Sequence, residues 1–167
     1  EPLYGAHEAE SIARMVVSEK LHYNLSQLVV HYDDECDIEE LQRIIGELRS
    51  GRPVQYVLAR AEFCDMEFAV AEGVLIPRPE TEELVYRIVG MAKRGARILD
   101  IGTGSGAIAI SLAKLIAEAE VVAVDISPEA LAIARSNAER LGEKVEFVEA
   151  DALAERFIAE LKAISNL

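Results

Sequence analysis

Arg97-Ile98-Leu99-Asp100-Ile101-Gly102-Thr103-Gly104-Ser105-Gly106 carries a buried-strand pattern straight into a glycine turn, and Ala107 to Lys114 continue it as a helical pattern. Glycines at 102, 104 and 106 permit a tight turn and let backbone amides approach a ligand with no Cβ atoms in the way. The helix that follows points its amino-terminal end at that ligand. Val121-Val122-Ala123-Val124 predicts a second buried strand. It ends in Asp125, 21 residues after Gly104, the spacing of a carboxylate that accepts hydrogen bonds from a ribose diol. These residues alone leave the ligand open. Gly102-x-Gly104-x-x-Ala107 also satisfies the dinucleotide fingerprint, while the strand, helix and distal Asp125 together favour a cofactor loop over a strand-to-helix turn holding no ligand.

Downstream, Ser127-Pro128-Glu129 opens a helix through Asn137 to Leu141, and Lys144 to Val148 predict a third strand ending near Glu149-Ala150-Asp151. Asp151 reads as the cap of a helix over 152–161. Upstream, Val54 to Val70 alternate well enough for two short strands, with Cys64-Asp65 as the turn between them. Pro77 and Pro79 stiffen the entry to a helix beginning near Glu80-Thr81. The first fifty residues predict a small helix bundle. Ile12, Met15 and Val16 form one apolar side, Ile38, Leu41, Ile44, Ile45 and Leu48 a second, and Asp37 with Glu40 a helix-start box. Gly51 and Pro53 stop that helix.

With 167 residues, 51% of them hydrophobic, the chain can bury a sizeable core. No run of 18 apolar residues occurs and no basic-plus-apolar leader opens the chain, so no membrane span is expected and a cytoplasmic location is. The net charge of −13, from 30 acidic against 17 basic residues, disfavours direct nucleic-acid binding and suits a protein substrate better. Cys36 and Cys64 are too few for a disulfide framework or a cysteine zinc site. His7, His22 and His31 lack ligand spacing, and the acidic run Asp33 to Asp37 reads as a solvated loop, so no metal is expected. Asn24-Leu25-Ser26 matches a glycosylation sequon by chance alone.

Leu99-Asp100-Ile101-Gly102-Thr103-Gly104-Ser105-Gly106 resembles the first motif of class I methyltransferases, in which an acidic residue sits just before the glycines. Gly73-Val74-Leu75-Ile76-Pro77-Arg78-Pro79-Glu80-Thr81-Glu82-Glu83-Leu84-Val85 closely resembles the linker signature of the HemK/PrmC family, the protein-(glutamine-N5) methyltransferases that modify peptide chain release factors. Arg52-Pro53-Val54-Gln55-Tyr56, Glu62-Phe63 and Phe68-x-Val70 resemble the same family's segment between helical and catalytic domains. The resemblance covers about Gly51 to Asp151. It implies an α/β fold: a class I S-adenosylmethionine-dependent (Rossmann-like) domain, incomplete here, preceded by a helical domain and a β-hairpin linker. The corresponding boundaries are a helical substrate-recognition domain at 1–53, the linker at 54–76 and the first part of the methyltransferase domain at 77–167. Relatives usually carry glycine near Ala59 and often at Asp65, so the resemblance implies altered turns there.

For the site, the resemblance implies that S-adenosylmethionine is held by Asp100, Gly102, Thr103, Gly104, Ser105, Gly106 and Asp125. Asp151 would accept from the adenine amine, Ile126 and Ala152 would cover the ring, and Leu75 and Arg78 would lie close by. Relatives carry an Asn-Pro-Pro-Tyr motif after the fourth strand that holds the substrate amide. Here Ile164-Ser165-Asn166-Leu167 resembles only the approach to it, which leaves Asn166 either a first catalytic residue or an accidental match. The implied activity is methylation of the glutamine of a Gly-Gly-Gln motif in translation termination, with these 167 residues expected to be inactive alone. A related N-methyltransferase acting on a ribosomal protein or a nucleic-acid amine, and a silent cofactor- or partner-binding fragment, stay open as alternatives.

Overall fold

The computed structural model describes residues 3–30, 37–155, 157 and 159. They form two compact units, residues 1–59 and 60–167. His31, Asp33 to Cys36 and Asn166 lie outside the described residues.

The first unit is helical: α1 (Ala6–Leu21), α2 (Leu25–Val30), α3 (Ile38–Arg49) and a single turn, α4 (Val54–Val57). Asp37 caps α3, its carboxylate accepting from the backbone N–H groups of Glu39 and Glu40 at 3.0 and 3.1 Å. Ile12 and Val16 of α1 meet Ile44 and Leu48 of α3 and Val54 of α4 in a small apolar core. The predicted stripes are wider than this core. Met15, Ile38 and Ile45 stay exposed, because a few short helices cover only the middle of each apolar face. Asn24 and Gln27 exchange side-chain-to-backbone bonds of 2.9 Å, which makes the sequon a helix-start box instead.

The expected strand at the start of Val54 to Val70 is the helical turn α4. Pro53 fixes φ at −55°, and its carbonyl accepts from Tyr56 and Val57, so the chain coils before it extends. The hairpin itself, β1 (Arg60–Phe63) and β2 (Met66–Ala69), turns at Cys64-Asp65 as predicted, with left-handed φ values of 49° and 58°. Ala59 is left-handed too, at φ 56°. Both positions where the resemblance places glycine therefore take the left-handed φ that glycine favours.

The second unit continues with α5 (Pro79–Met91), β3 (Arg97–Ile101), α6 (Ala107–Leu115), β4 (Glu120–Asp125), α7 (Pro128–Leu141) and β5 (Glu146–Glu149). The three later strands form a parallel sheet in the order β3-β4-β5, with Ile101 beside Val124 and Asp125 beside Glu149. Successive strand residues face opposite sides. Val121 and Ala123 pack on Ala109 of α6, and Val122, Val124 and Val148 gather on the other side with Phe157. Rather than linking loosely, the hairpin is built into this unit's core: Phe63, Met66 and Phe68 pack with Val85, Ile110 and Leu112. Cys64 is free and buried there, and burial pushes its thiol up. No described helix is long and apolar enough to cross a membrane.

β3 departs from the buried pattern expected of it. Leu99 is 36% and Ile101 51% exposed. Among the described residues β3 pairs on one side only, with β4, so it is a sheet edge whose Leu99–Ile101 face is half covered.

Candidate functional site

Three strands running the same way bring Asp100, Asp125 and Asp151 to one edge of the sheet, where the glycine turn joins β3 to α6. Gly102, Gly104 and Gly106 all take left-handed conformations, at φ 75°, 56° and 81°. They divide the work. A Cβ on Gly102 or Gly104 would meet nothing within 4 Å, whereas one on Gly106 would lie 2.8 Å from Ile110 Cδ1 and 3.1 Å from Ala134 Cβ. Gly106 thus lets α7 close on the start of α6, while the first two glycines leave open space beside the turn.

Four of the turn's amides, those of Gly102, Thr103, Gly104 and Gly106, bond within the protein and are not aimed outward as the glycine spacing suggests. Gly102 N–H and Thr103 N–H both donate to the Val124 carbonyl, at 2.8 and 3.0 Å, and Gly106 N–H donates to the Thr103 carbonyl at 2.9 Å. Gly104 N–H donates to Asp125 Oδ2 at 2.8 Å. The other Asp125 oxygen accepts from Ser127 N–H at 3.0 Å, so this carboxylate pins the turn to the start of α7. Thr103 Oγ1 donates to Asp100 Oδ2 at 2.7 Å, and the backbone of Ala109, in the first turn of α6, also hydrogen-bonds the Asp100 carboxylate. Asp100 thus sets a carboxyl group beside the amino terminus of α6.

Burial pushes the Asp100 carboxyl above its ordinary value. The Thr103 and Ala109 hydrogen bonds pull it down by less, and the Asp125 charge adds to the rise. Since the folded chain holds this proton more tightly than the unfolded chain, the group's contribution to stability grows as pH falls through its raised folded-state pKa. It levels off below the unfolded value. Asp100→Asn is accordingly expected to raise the melting temperature of the unliganded chain at neutral pH. The gain should shrink as the wild-type carboxyl protonates in acid. Thermal melts of both chains across pH check this, and an unchanged or lower melting temperature at neutral pH would show that the charge carries no cost.

The other residues singled out by resemblance are spread around the turn's edge of the sheet or lie beyond it in the chain. Thr103 and Ser105 are buried, and the Ser105 carbonyl accepts from Asn137 Nδ2. Leu75, Arg78 and Ile126 are exposed, Arg78 as the residue preceding α5. Asp151 Oδ1 accepts from Leu153 N–H at 2.9 Å within a turn over residues 152–155, where the sequence predicts the start of a helix, and Ala152 packs on the Val122–Val124–Val148 cluster. One residue carries no motif signal. Asn137, fully buried on α7, bonds to both the hairpin and the glycine turn. Its trace in the sequence is an amide on the helix face otherwise formed by Leu131, Ala134 and Ala138.

A parallel sheet, a glycine turn between its first strand and a helix, and an acidic residue closing the next strand define a class I methyltransferase (Rossmann-like) domain; residues 98–164 match the family described as Methyltransferase domain. The chain belongs to the family of release factor glutamine methyltransferases. It is 45% identical over 150 residues to the Bacteroides thetaiotaomicron protein of that name, covering 88% of this chain and 54% of that one. It is 40% identical over 165 residues to the one from Bacillus subtilis, covering 93% and 57%. The chain thus spans about half the length of the curated relatives it matches. Among solved structures, a Pyrococcus abyssi tRNA (uracil-54, C5)-methyltransferase in complex with S-adenosyl-L-homocysteine aligns with a TM-score of 0.47 at 26% identity, over 55% of this chain and 23% of that one.

Proposed function

We propose that this chain is the cofactor-binding part of a release factor glutamine methyltransferase that takes S-adenosylmethionine and transfers its methyl group to the side-chain nitrogen of a release-factor glutamine. The observation that carries the cofactor is the wiring of the turn. A nucleotide pyrophosphate needs N–H donors at the turn and at the helix start. Here Gly102, Thr103, Gly104 and Gly106 donate within the protein, and the Asp100 carboxyl group lies beside the helix start. Such a site repels a dianion and suits a ligand that brings hydroxyl and ammonium donors and a positive sulfonium.

In this reading Asp125 accepts from the ribose and Asp100 faces the cationic end. Asp151 accepts from the adenine amine, between Ile126 and Ala152, and Leu75 and Arg78 border the pocket. Asn166 holds the substrate amide. An amide nitrogen is a weak nucleophile because its lone pair is delocalised. Holding it in line with the sulfonium methyl contributes about 7–11 kcal/mol of the kind orientation supplies. The acidic chain, at net charge −13, favours a protein over a nucleic acid as partner, in the cytoplasm where translation ends.

Calorimetry of the chain with S-adenosylhomocysteine and with NAD tests the cofactor, and tighter binding of NAD would sink the assignment. For the substrate, the full-length protein incubated with a release factor and S-adenosylmethionine should add the mass of one methylene to the peptide bearing Gly-Gly-Gln. Transfer to a ribosomal protein instead would move the proposal to a different substrate.

A further inference from the structure

The buried Asn137 side chain joins two parts of the second unit that are far apart in sequence. Its Nδ2 donates to the Ala69 carbonyl at 3.0 Å and to the Ser105 carbonyl at 2.9 Å. Its Oδ1 accepts from Ala69 N–H at 2.8 Å and from Arg140 Nη2 at 3.3 Å. Both donors and both acceptor positions of the amide are therefore used, with 0% of the residue exposed. Ala69 closes β2, and the chain running from it leads to Leu75 and Arg78. Ser105 lies inside the glycine turn. Only a primary amide offers two donors and two acceptor positions in one plane, and a buried polar network that is complete fixes one arrangement.

We infer that Asn137 is a positioning residue: it sets the glycine turn against the end of the hairpin, so that ligand affinity depends on a side chain that touches no ligand. The proposal rests on the S-adenosylmethionine reading for its affinity arm and on geometry alone for its exchange arm. Asn137→Asp keeps an acceptor for Ala69 N–H and Arg140 but loses the donors to both the Ala69 and the Ser105 carbonyls. Asn137→Ser is too short to hold both sides and creates no new charge. Val121→Ala, at the opposite end of β4 from Asp125, removes buried volume without touching the network and serves as a matched loss of stability.

Amide hydrogen exchange on the unliganded chain comes first. Both Asn137 variants should speed exchange at Gly106 and Ile110, whose N–H bonds close the turn, while Ala69 speeds up in Asn137→Ser and stays slow in Asn137→Asp. Calorimetry with S-adenosylhomocysteine should then show both variants at least about tenfold weaker, the scale on which partners that orient a site from behind act. Val121→Ala, compared at equal loss of melting temperature, should bind within about twofold of wild type. Exchange unchanged at Gly106, or an affinity loss equal in Val121→Ala, would overturn the inference. Should the wild-type chain bind no S-adenosylhomocysteine, the cofactor reading falls, and the exchange pattern at Gly106 and Ala69 still decides whether Asn137 couples hairpin and turn.

Discussion

Gly106→Ala is expected to be the most damaging single-atom-scale change in the second unit. A Cβ there carries two independent costs. The left-handed φ of 81° disfavours any L side chain by about 1–2 kcal/mol. The added carbon also enters a close-packed contact, 2.8 Å from Ile110 Cδ1 and 3.1 Å from Ala134 Cβ, and overpacking of that kind costs about 1–3 kcal/mol. Ile110 can swing its terminal methyl aside, but Ala134 has only its backbone to move. The sum, about 2–5 kcal/mol, corresponds to a melting temperature lower by about 10–25 °C for a unit of this size. Gly104→Ala is the informative contrast. Its φ of 56° carries the first cost, yet a Cβ meets nothing within 4 Å. It should melt closer to wild type while weakening S-adenosylhomocysteine, because the methyl fills space beside the turn. Equal melting temperatures for the two variants would remove the packing role assigned to Gly106.

Asp125→Ala is expected to cost the most ligand affinity. The carboxylate already accepts from Gly104 N–H and Ser127 N–H, and a carboxylate has about four acceptor positions, which leaves room for a ribose diol on the same group. Removing it deletes the ligand's charged acceptor, worth about 1–3 kcal/mol. It also releases the turn that shapes the pocket, so S-adenosylhomocysteine should bind about 100-fold more weakly in calorimetry. Asp125→Asn keeps the shape but must turn an NH₂ group toward one of the two backbone donors, so it should fall between wild type and alanine. Undiminished affinity in Asp125→Ala would take this carboxylate out of the site.

The strand, turn and helix around the glycines were legible from residue order because each is a local preference: apolar runs extend, glycines tolerate left-handed φ, and Ser127-Pro128 starts a helix with a side-chain cap. The hairpin turn at Cys64-Asp65 was legible on the same ground. Burial was less so. Leu99 and Ile101 read as core residues, yet whether a strand residue is covered depends on what pairs beside it. Val54 to Val57 alternate like a strand, and Pro53 together with packing on Ile44 and Leu48 makes them helical instead.

What residue order determined by itself is the strand, turn and helix around the glycines and the two aspartates that flank the turn, since those follow from spacing along one chain, while the class of fold came with the resemblance of these residues to the methyltransferase motif. Only the tertiary structure decided how the turn is wired. That its amides bond to Val124 and Asp125 and that Asn137 reaches both Ala69 and Ser105 depend on groups 21 to 68 positions apart meeting at hydrogen-bond distance. A hydrogen bond acts over about 3 Å, and no periodicity in a sequence carries distances between remote segments.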